Sequence, residues 1–199
     1  MVMLAAWQVL LARYSGQQDI SVGTPIAGRN RTELEGLIGF FVNTLVLRTK
    51  LEGSASFRDV LRQVKETTLG AYAHQEVPFE KLVEELKPER DLSRTPLFQV
   101  MFTWQAAAVA ANTGEVRPNT RLALRALETE GATAKFDLTL GMAETGQGLA
   151  ASLEYSTDLY DAETAQRMLS HLGTLLAGIT KDADANLWSL PLLEAEERQ

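Results

Sequence analysis

The side chains best suited to acid–base chemistry lie in one short segment, His74-Gln75-Glu76, shortly before Pro78. A histidine beside a carboxylate can serve as a general base. The segment is equally suited to starting a helix, because the residue before a proline is extended and proline is tolerated where helices begin. Both roles stay open. The second histidine, His171, is distant in sequence, so a histidine-rich metal site is excluded, and the lack of cysteine excludes thiol nucleophiles and disulfides.

Three further polar features of the sequence require an explanation. Asn43 lies within an apolar run, where an amide must find hydrogen-bond partners, so it either holds a neighbouring loop or projects toward a substrate channel. Arg29 lies in a loop rich in proline and glycine, where an arginine is ordinarily solvated. The run from Arg90 to Arg94 contains charged and hydroxyl side chains that form ion pairs and turn hydrogen bonds on a surface.

Helices and strands that would position these residues are predicted from periodicity and from turn residues. Helices are expected over 1–15, from Ser56, from Pro78 and over 162–179, with one helical turn over 32–35. Strands are expected over 19–23, 40–49, 98–105, 121–128, 136–142 and 149–155. Strand 40–49 is nearly continuously apolar and is predicted to be covered on both faces. Strands and helices mix without regular alternation, which predicts an α/β fold in the broad sense, an α+β two-layer sandwich with a mixed sheet packed against helices.

Composition narrows the functional classes. The 199 residues, 45% of them hydrophobic, are enough for one core. The net charge of −7, with acidic and basic residues interspersed, argues against a nucleic-acid partner. No apolar stretch is long enough to predict a membrane span, and the apolar start lacks the basic residues of a signal peptide, so a cytoplasmic location is expected.

Three stretches, taken together, resemble a known family. They are Ile38-Gly-Phe-Phe-Val-Asn-Thr-Leu-Val-Leu-Arg48, His74-Gln-Glu-Val-Pro-Phe-Glu80 and Arg90-Asp-Leu-Ser-Arg-Thr-Pro-Leu-Phe98. Their order and spacing resemble the fifth, sixth and seventh core motifs of condensation domains of nonribosomal peptide synthetases. The resemblance covers nearly the whole chain and implies one half of a two-subdomain fold in which each half is similar to chloramphenicol acetyltransferase.

The resemblance also implies a domain organisation. Residues 1–190 are expected to be the C-terminal subdomain, with 24–37 similar to the floor loop of the active site and 106–120 similar to the latch that crosses between subdomains. Residues 191–199 are expected to begin a linker toward an adenylation domain, and both ends are expected to continue into a longer protein.

Site residues follow from the same resemblance. In the family an arginine of this subdomain holds the aspartate of a catalytic His-His-x-x-x-Asp-Gly motif, and the position of Arg29 fits that arginine. The resemblance implies that Arg29, Asn43 and Thr103 support the active site. No catalytic residue is assigned, because the chain has no adjacent pair of histidines. The other matched positions are expected to be mainly structural: Gly39, Phe41, Thr44, Arg48, His74, Gln75, Pro78, Phe79, Arg90, Asp91, Ser93 and Pro96.

The family joins aminoacyl groups that are held as thioesters on the 4′-phosphopantetheine arms of carrier domains. The chain is therefore expected to contribute to peptide bond formation, to be inactive alone and to bind no cofactor or metal itself. Its expected partners are an N-terminal condensation subdomain, peptidyl carrier domains and a downstream adenylation domain. Uncovered interface, including the floor loop and Met101–Gln105, predicts self-association.

Two alternatives stay open. One is a carrier-docking module that uses residues 90–94. The other is a freestanding chloramphenicol-type acyltransferase with His74 as its base.

Overall fold

The computed structural model describes residues 1–88, 94–105, 133–193 and 197. The predicted strand over 121–128, the crossing segment 106–120 and the motif residues Arg90, Asp91 and Ser93 lie outside the described residues. The described elements, in chain order, are α1 Val2–Ser15, β1 Asp19–Ile26, α2 Thr32–Glu35, β2 Asn43–Lys50, α3 Phe57–Ala73, α4 Phe79–Leu86, β3 Val100–Gln105, β4 Leu138–Thr145, β5 Gly148–Tyr155 and α5 Ala162–Lys181.

The described strands form one mixed sheet in the order β2-β1-β3-β4-β5. The three central strands, β1, β3 and β4, are parallel, and the outer strands β2 and β5 are antiparallel to their neighbours. Because parallel strands end on the same side, the carboxyl ends of β1, β3 and β4 lie at one edge of the sheet, which we call the carboxyl edge. The predicted mixed sheet packed against helices is confirmed.

Helix α1 is the centre of the core. Every residue from Leu4 to Ala12 is buried, which agrees with a helix that is apolar on most of its sides. It lies against the sheet face that carries Val22, Leu47 and Leu140, and α3 and α5 flank it. Gly16, in the left-handed conformation with φ 70°, ends this helix as predicted.

The predicted start of α3 is confirmed. Ser56 and Asp59 form a reciprocal capping box, in which each side chain binds the backbone N–H of the other residue.

The prediction for the strand over 40–49 was wrong in two respects. The strand begins at Asn43, and the residues before it form a loop in which the Phe40 side chain is 90% exposed. Since β2 is an outer strand, Arg48 and Lys50 reach solvent, and the strand is not covered on both faces. The apolar residues 38–42 continue the pattern of the strand but belong to an exposed loop.

Strand β1 is longer than predicted, because it continues through Pro25 to Ile26. Proline removes a backbone donor and is normally confined to the edges of sheets. Strand β3 pairs only with Val22 and Gly23 of β1, so β1 has β2 as its single described neighbour beyond that point. The Leu51 N–H bonds the Gln18 carbonyl, so alternation along the β1–β2 pair directs the Pro25 nitrogen away from β2. The missing donor therefore interrupts no described ladder bond.

The predicted buried stripe of α4, comprising Phe79, Leu82, Val83 and Leu86, was wrong, since none of these residues is fully buried. Phe79 instead packs edge-on against Phe98 (ring centroids 5.6 Å apart), which contacts Phe136 (5.4 Å). The Phe98 ring covers Gly23 so closely that a side chain at position 23 would collide with it. Alternation along β1 places Gly23 opposite Val22, so these aromatic rings occupy the sheet face away from α1.

The segment after α5 folds back onto the body. Arg13 Nη1 donates hydrogen bonds to the carbonyl oxygens of Leu187 (3.0 Å) and Leu190 (3.2 Å), and both leucine side chains are buried. Pro191 lies against Gly178, where a side chain would meet the proline ring. The core therefore includes residues beyond the last helix.

Candidate functional site

The carboxyl edge is where the candidate site residues concentrate. The loop from residue 27 to residue 42 leaves β1 there and carries Arg29, and β2 begins there at Asn43. Ligands of open α/β sheets bind outside the carboxyl ends of parallel strands, since the connections that leave those ends form a crevice. The topology thus brings Arg29 and Asn43 to the edge where binding is expected.

Arg29 organises the loop that carries it. Its Nη1 donates hydrogen bonds to the carbonyl oxygens of Leu34 and Leu37, both at 2.6 Å, and Nη2 makes a longer contact of 3.4 Å with the carbonyl oxygen of Gly39. The guanidinium carbon lies 4.4 Å from the centre of the Phe41 ring, a cation–π distance. Among the described residues it has no carboxylate partner. Gly39 and Phe41, two predicted motif positions, are therefore contacts of Arg29.

Asn43 binds the connection between α3 and α4. Its Nδ2 donates to the carbonyl oxygens of Gln75 (2.9 Å) and Val77 (2.8 Å). Its Oδ1 accepts from the backbone N–H groups of Thr44 (2.9 Å) and Phe79 (3.2 Å). Of the two roles left open by the sequence, the structure shows the holding of a neighbouring loop, and support of an active site stays a prediction.

His74 forms the end of α3, and its side chain is exposed. Its backbone N–H donates to the carbonyl oxygen of Ala71, and Pro78 is the residue immediately before α4. In the described part of the chain no side chain holds the His74 imidazole by a hydrogen bond or ion pair. The structure therefore shows the helix-starting role of this segment and gives the acyltransferase alternative no oriented base.

A cavity of about 520 Å³ lies between the loop over 27–42 and the start of α4. Its lining brings together residues of the fifth and sixth motifs that are 31 or more positions apart in sequence. They are Phe41, Asn43, Thr44, Gln75, Pro78 and Phe79. These two motifs therefore form one surface at the carboxyl edge.

The remaining predicted positions lie away from this surface. Arg48, near the far end of β2, makes a bidentate ion pair with Asp19 of β1 (2.7 and 2.6 Å), and this hydrogen-bonded guanidinium lowers the pKa of the Asp19 carboxyl. Thr103 lies on the sheet face away from α1, beside Gly141. Arg48 thus holds two strands together, and the support of an active site by Thr103 stays a prediction.

Pro96 belongs to a tight turn before β3. The N–H of Phe98 donates to the carbonyl oxygen of Pro96 (2.9 Å), and Leu97 between them has φ 69°. This is a γ-turn with a positive central φ, a rare and strained conformation. The turn aims the Phe98 ring at Gly23, so the described part of the seventh motif serves packing.

Comparison with known proteins gives the family. The model of the family described as "Condensation domain" matches residues 1–199. The chain belongs to the condensation domain family.

Relatives of this condensation domain chain are synthetases of much greater length. It is 53% identical to one of the proteins that make up the linear gramicidin synthase of Brevibacillus parabrevis, over 100% of this chain and 4% of that protein. It is 43% identical to "Surfactin synthase subunit 1" of Bacillus subtilis (strain 168), over 99% of this chain and 5% of the relative. The chain thus spans about one twentieth of these relatives.

Solved structures share the fold of the condensation domain chain. A four-domain nonribosomal peptide synthetase bound to AMP and glycine superposes with a TM-score of 0.88 at 25% identity, over 99% of this chain and 16% of the other. The X-domain from teicoplanin biosynthesis gives a TM-score of 0.84 at 28% identity, over 96% of this chain and 43% of the other.

One polar cluster, around His171, was not predicted from the sequence of this condensation domain chain. His171 is buried, and hydrogen bonds join its Nδ1 to the Tyr14 hydroxyl (2.6 Å) and its Nε2 to the Glu197 carboxylate (2.8 Å). No signal in the sequence relates these three residues, which come from α1, α5 and the C-terminal segment. Among the described residues no group of histidine and acidic side chains could hold a metal ion. No helix in the same ranges has the length and apolar character needed to cross a membrane.

Proposed function

We propose that the chain is the C-terminal subdomain of a condensation domain in a nonribosomal peptide synthetase. The parent domain would form peptide bonds between aminoacyl or peptidyl groups held as thioesters on the 4′-phosphopantetheine of carrier domains. The observation that carries this proposal is the family match over residues 1–199 in a chain that has no adjacent pair of histidines. The chain covers 43% of the X-domain from teicoplanin biosynthesis, which is the share expected if it is about half of such a domain.

Arg29 would bind the aspartate of the catalytic motif on the N-terminal subdomain. An arginine presents five N–H donors, and the backbone carbonyls here mostly occupy those on Nη1. The Nε and Nη2 side of the guanidinium retains donors for a bidentate contact with a carboxylate. Because the carbonyls and the Phe41 ring fix the plane of the group, the contact would need little further ordering.

We also propose the segment roles that go with this function. Residues 24–37 would form the floor of the active site, and 106–120 would cross to the N-terminal subdomain. Residues 191–199 would lead to an adenylation domain, and peptidyl carrier domains would be further partners. The floor assignment is supported by the position of the Arg29 loop at the carboxyl edge.

A chimeric synthetase tests the proposal. In the linear gramicidin synthase protein that is 53% identical, the matching segment would be replaced by this chain. The dipeptide formed on loaded carrier domains would be measured by mass spectrometry. We expect the chimera to form the peptide bond and the chain alone to form none. Arg29→Lys should lower the rate at least about tenfold, since lysine cannot make the bidentate contact.

Arg62→Lys, on the exposed side of α3 and outside the lining of the candidate-site cavity, is the matched control and should keep the rate. Amide formation by the chain alone would contradict the proposal. So would a folded, carrier-loaded chimera that forms no peptide bond.

A further inference from the structure

The Phe41 side chain is the aromatic group that Arg29 contacts at the carboxyl edge. The guanidinium carbon lies over the ring, 4.4 Å from its centre, which is closer than the limit of about 6 Å for a cation–π contact. Both side chains are half-buried, whereas the ring of the adjacent Phe40 is 90% exposed. Phe41 is thus the member of this aromatic pair that is packed against the arginine.

The backbone beside Arg29 is shaped to fit the segment that carries Phe41. Gly28, the residue before Arg29, has φ 64°, a conformation that residues with a side chain rarely adopt. A side chain at position 28 would also collide with the carbonyl oxygen of Phe41. Glycine therefore allows the two segments to approach closely, and their backbones set the contact between the ring and the guanidinium.

The contacts of Arg29 leave its positive charge uncompensated. Its hydrogen bonds go to backbone carbonyl oxygens, those of Leu34, Glu35, Leu37 and Gly39. The Phe41 ring is likewise a neutral partner. Within the described ranges Nε makes no hydrogen bond, and no carboxylate pairs with the guanidinium. These contacts therefore orient a cation that is still able to receive a carboxylate from outside the chain.

We propose that Phe41 is a positioning residue of the proposed active site: its ring holds the Arg29 guanidinium in the orientation that binds the carboxylate of the N-terminal subdomain. The inference rests on the proposed function, because it names the residue that orients the arginine assigned there. Hydrogen bonds to Nη1 alone would leave the group free to swing about that nitrogen. The ring contact at the guanidinium carbon restricts this movement, so that Nε and Nη2 keep a fixed direction.

Nuclear magnetic resonance of the 199-residue chain tests the contact without catalysis. Protons near the face of an aromatic ring resonate upfield of their ordinary position, and Arg29→Lys identifies the Nε–H signal by its loss. We expect this signal to be upfield in the unsubstituted chain and in Phe41→Tyr, which keeps a ring. In Phe41→Leu it should return toward the ordinary arginine position. An ordinary position in the unsubstituted chain, or a signal that Phe41→Leu does not move, would overturn the inference.

Phe40→Leu is the matched control, since it makes the same change at the adjacent, exposed ring. It should leave the Arg29 signal in place. Equal movement of the signal in Phe40→Leu and in Phe41→Leu would mean that a general change of the loop, and not the Phe41 ring, accounts for the shift, so the inference would be wrong.

Rates in the chimeric synthetase test the positioning role. Phe41→Leu should lower the rate of peptide bond formation by about threefold to tenfold, the range expected when a cation–π contact is lost, and Phe41→Tyr should keep the rate. Arg29→Met has no guanidinium to orient, so in that background Phe41→Leu should have less than about a twofold further effect. A ring that served packing alone would lower the rate by the same factor in both backgrounds, and that result would overturn the inference.

The outcomes separate the two proposals. An unsubstituted chimera that forms no peptide bond contradicts the proposed function, while the Nε–H signal of Arg29 in the separate chain still decides whether the ring holds the guanidinium. An active chimera whose rate does not change in Phe41→Leu overturns the inference and leaves the proposed function standing.

Discussion

At the scale of single residues, Arg29 and Asn43 have the same structural task. Each side chain satisfies backbone groups of a connection that has few regular hydrogen bonds of its own, over 34–39 for Arg29 and over 75–79 for Asn43. Both connections reach the carboxyl edge. These two residues therefore fix the shape of the candidate site through contacts within the chain, independently of a substrate.

Asn43→Ala is expected to lower the free energy of unfolding by about 2 kcal/mol, because it leaves carbonyl and N–H groups without the partners that the amide supplies. Urea denaturation measures the change. Asn30→Ala, which removes an exposed amide near the same cavity, is the matched control and should change little. Equal effects of the two substitutions would show that the hydrogen bonds of Asn43 are not important for stability.

The sequence predicted that Asn43 requires partners, because an amide in an apolar run cannot remain unsatisfied. It did not predict which partners, since the bonded groups of the α3–α4 connection lie 32 to 36 positions away. For Arg29 the sequence predicted no need for hydrogen-bond partners within the protein, because a loop arginine is ordinarily solvated. Its carbonyl contacts depend on the path of a loop that periodicity does not describe.

At the scale of elements, helices with a recognisable end were predicted well. These are α3 and α5, which also have a regular apolar face, and α1, which is apolar on most of its sides. The errors in β2 and α4 share a cause. Phe40 and Val42, just before β2, and Leu86 of α4 are apolar but exposed in the described structure, and apolar composition alone does not distinguish a residue buried in the core from one on a contact surface.

The start of α5 gives a pH-dependent prediction. The Asp161 carboxylate accepts a hydrogen bond from the backbone N–H of Thr164, and this bond lowers the pKa of Asp161 below its ordinary value of 3.8. A lowered pKa means that the contribution to stability is present above pH 3.8 and is lost as the pH falls through the folded-state value. Asp161→Asn keeps a capping oxygen but no longer titrates.

We therefore expect the urea midpoint to fall less between about pH 6 and pH 2.5 in Asp161→Asn than in the unsubstituted chain. Asp161→Ala removes both the cap and the titration, so its midpoint should already be lower at the higher pH. An identical fall in the unsubstituted chain and in Asp161→Asn would exclude the cap as a source of the acid sensitivity.

At the scale of the whole molecule, the two ends of the chain are joined. Arg13 of α1 binds carbonyl oxygens 174 and 177 positions later, and the buried Leu187 and Leu190 complete the core beside it. Partial burial of the Arg13 guanidinium lowers its pKa, because the charged form loses contact with water. Such long-range contacts leave no periodic trace, so the sequence could not predict them.

The loop over 37–42 is the most exposed apolar segment of the described structure. Ile38 is fully exposed and Phe40 is 90% exposed, and Leu37 and Val42 are also exposed. Exposed apolar patches of this kind are typical of interaction surfaces. In the proposed function this surface faces the N-terminal subdomain, so in the separate chain it is free to associate with another copy.

The double variant Ile38→Ser with Phe40→Ser is therefore expected to remain monomeric at concentrations where the unsubstituted chain self-associates, as measured by sedimentation equilibrium. Its free energy of unfolding should stay close to that of the unsubstituted chain, because neither side chain is buried. Leu86→Ser with Leu159→Ser, two exposed leucines elsewhere, is the matched control and should associate as before. An unsubstituted chain that is monomeric at high concentration would contradict this prediction, because a partner would then be unnecessary to cover the loop.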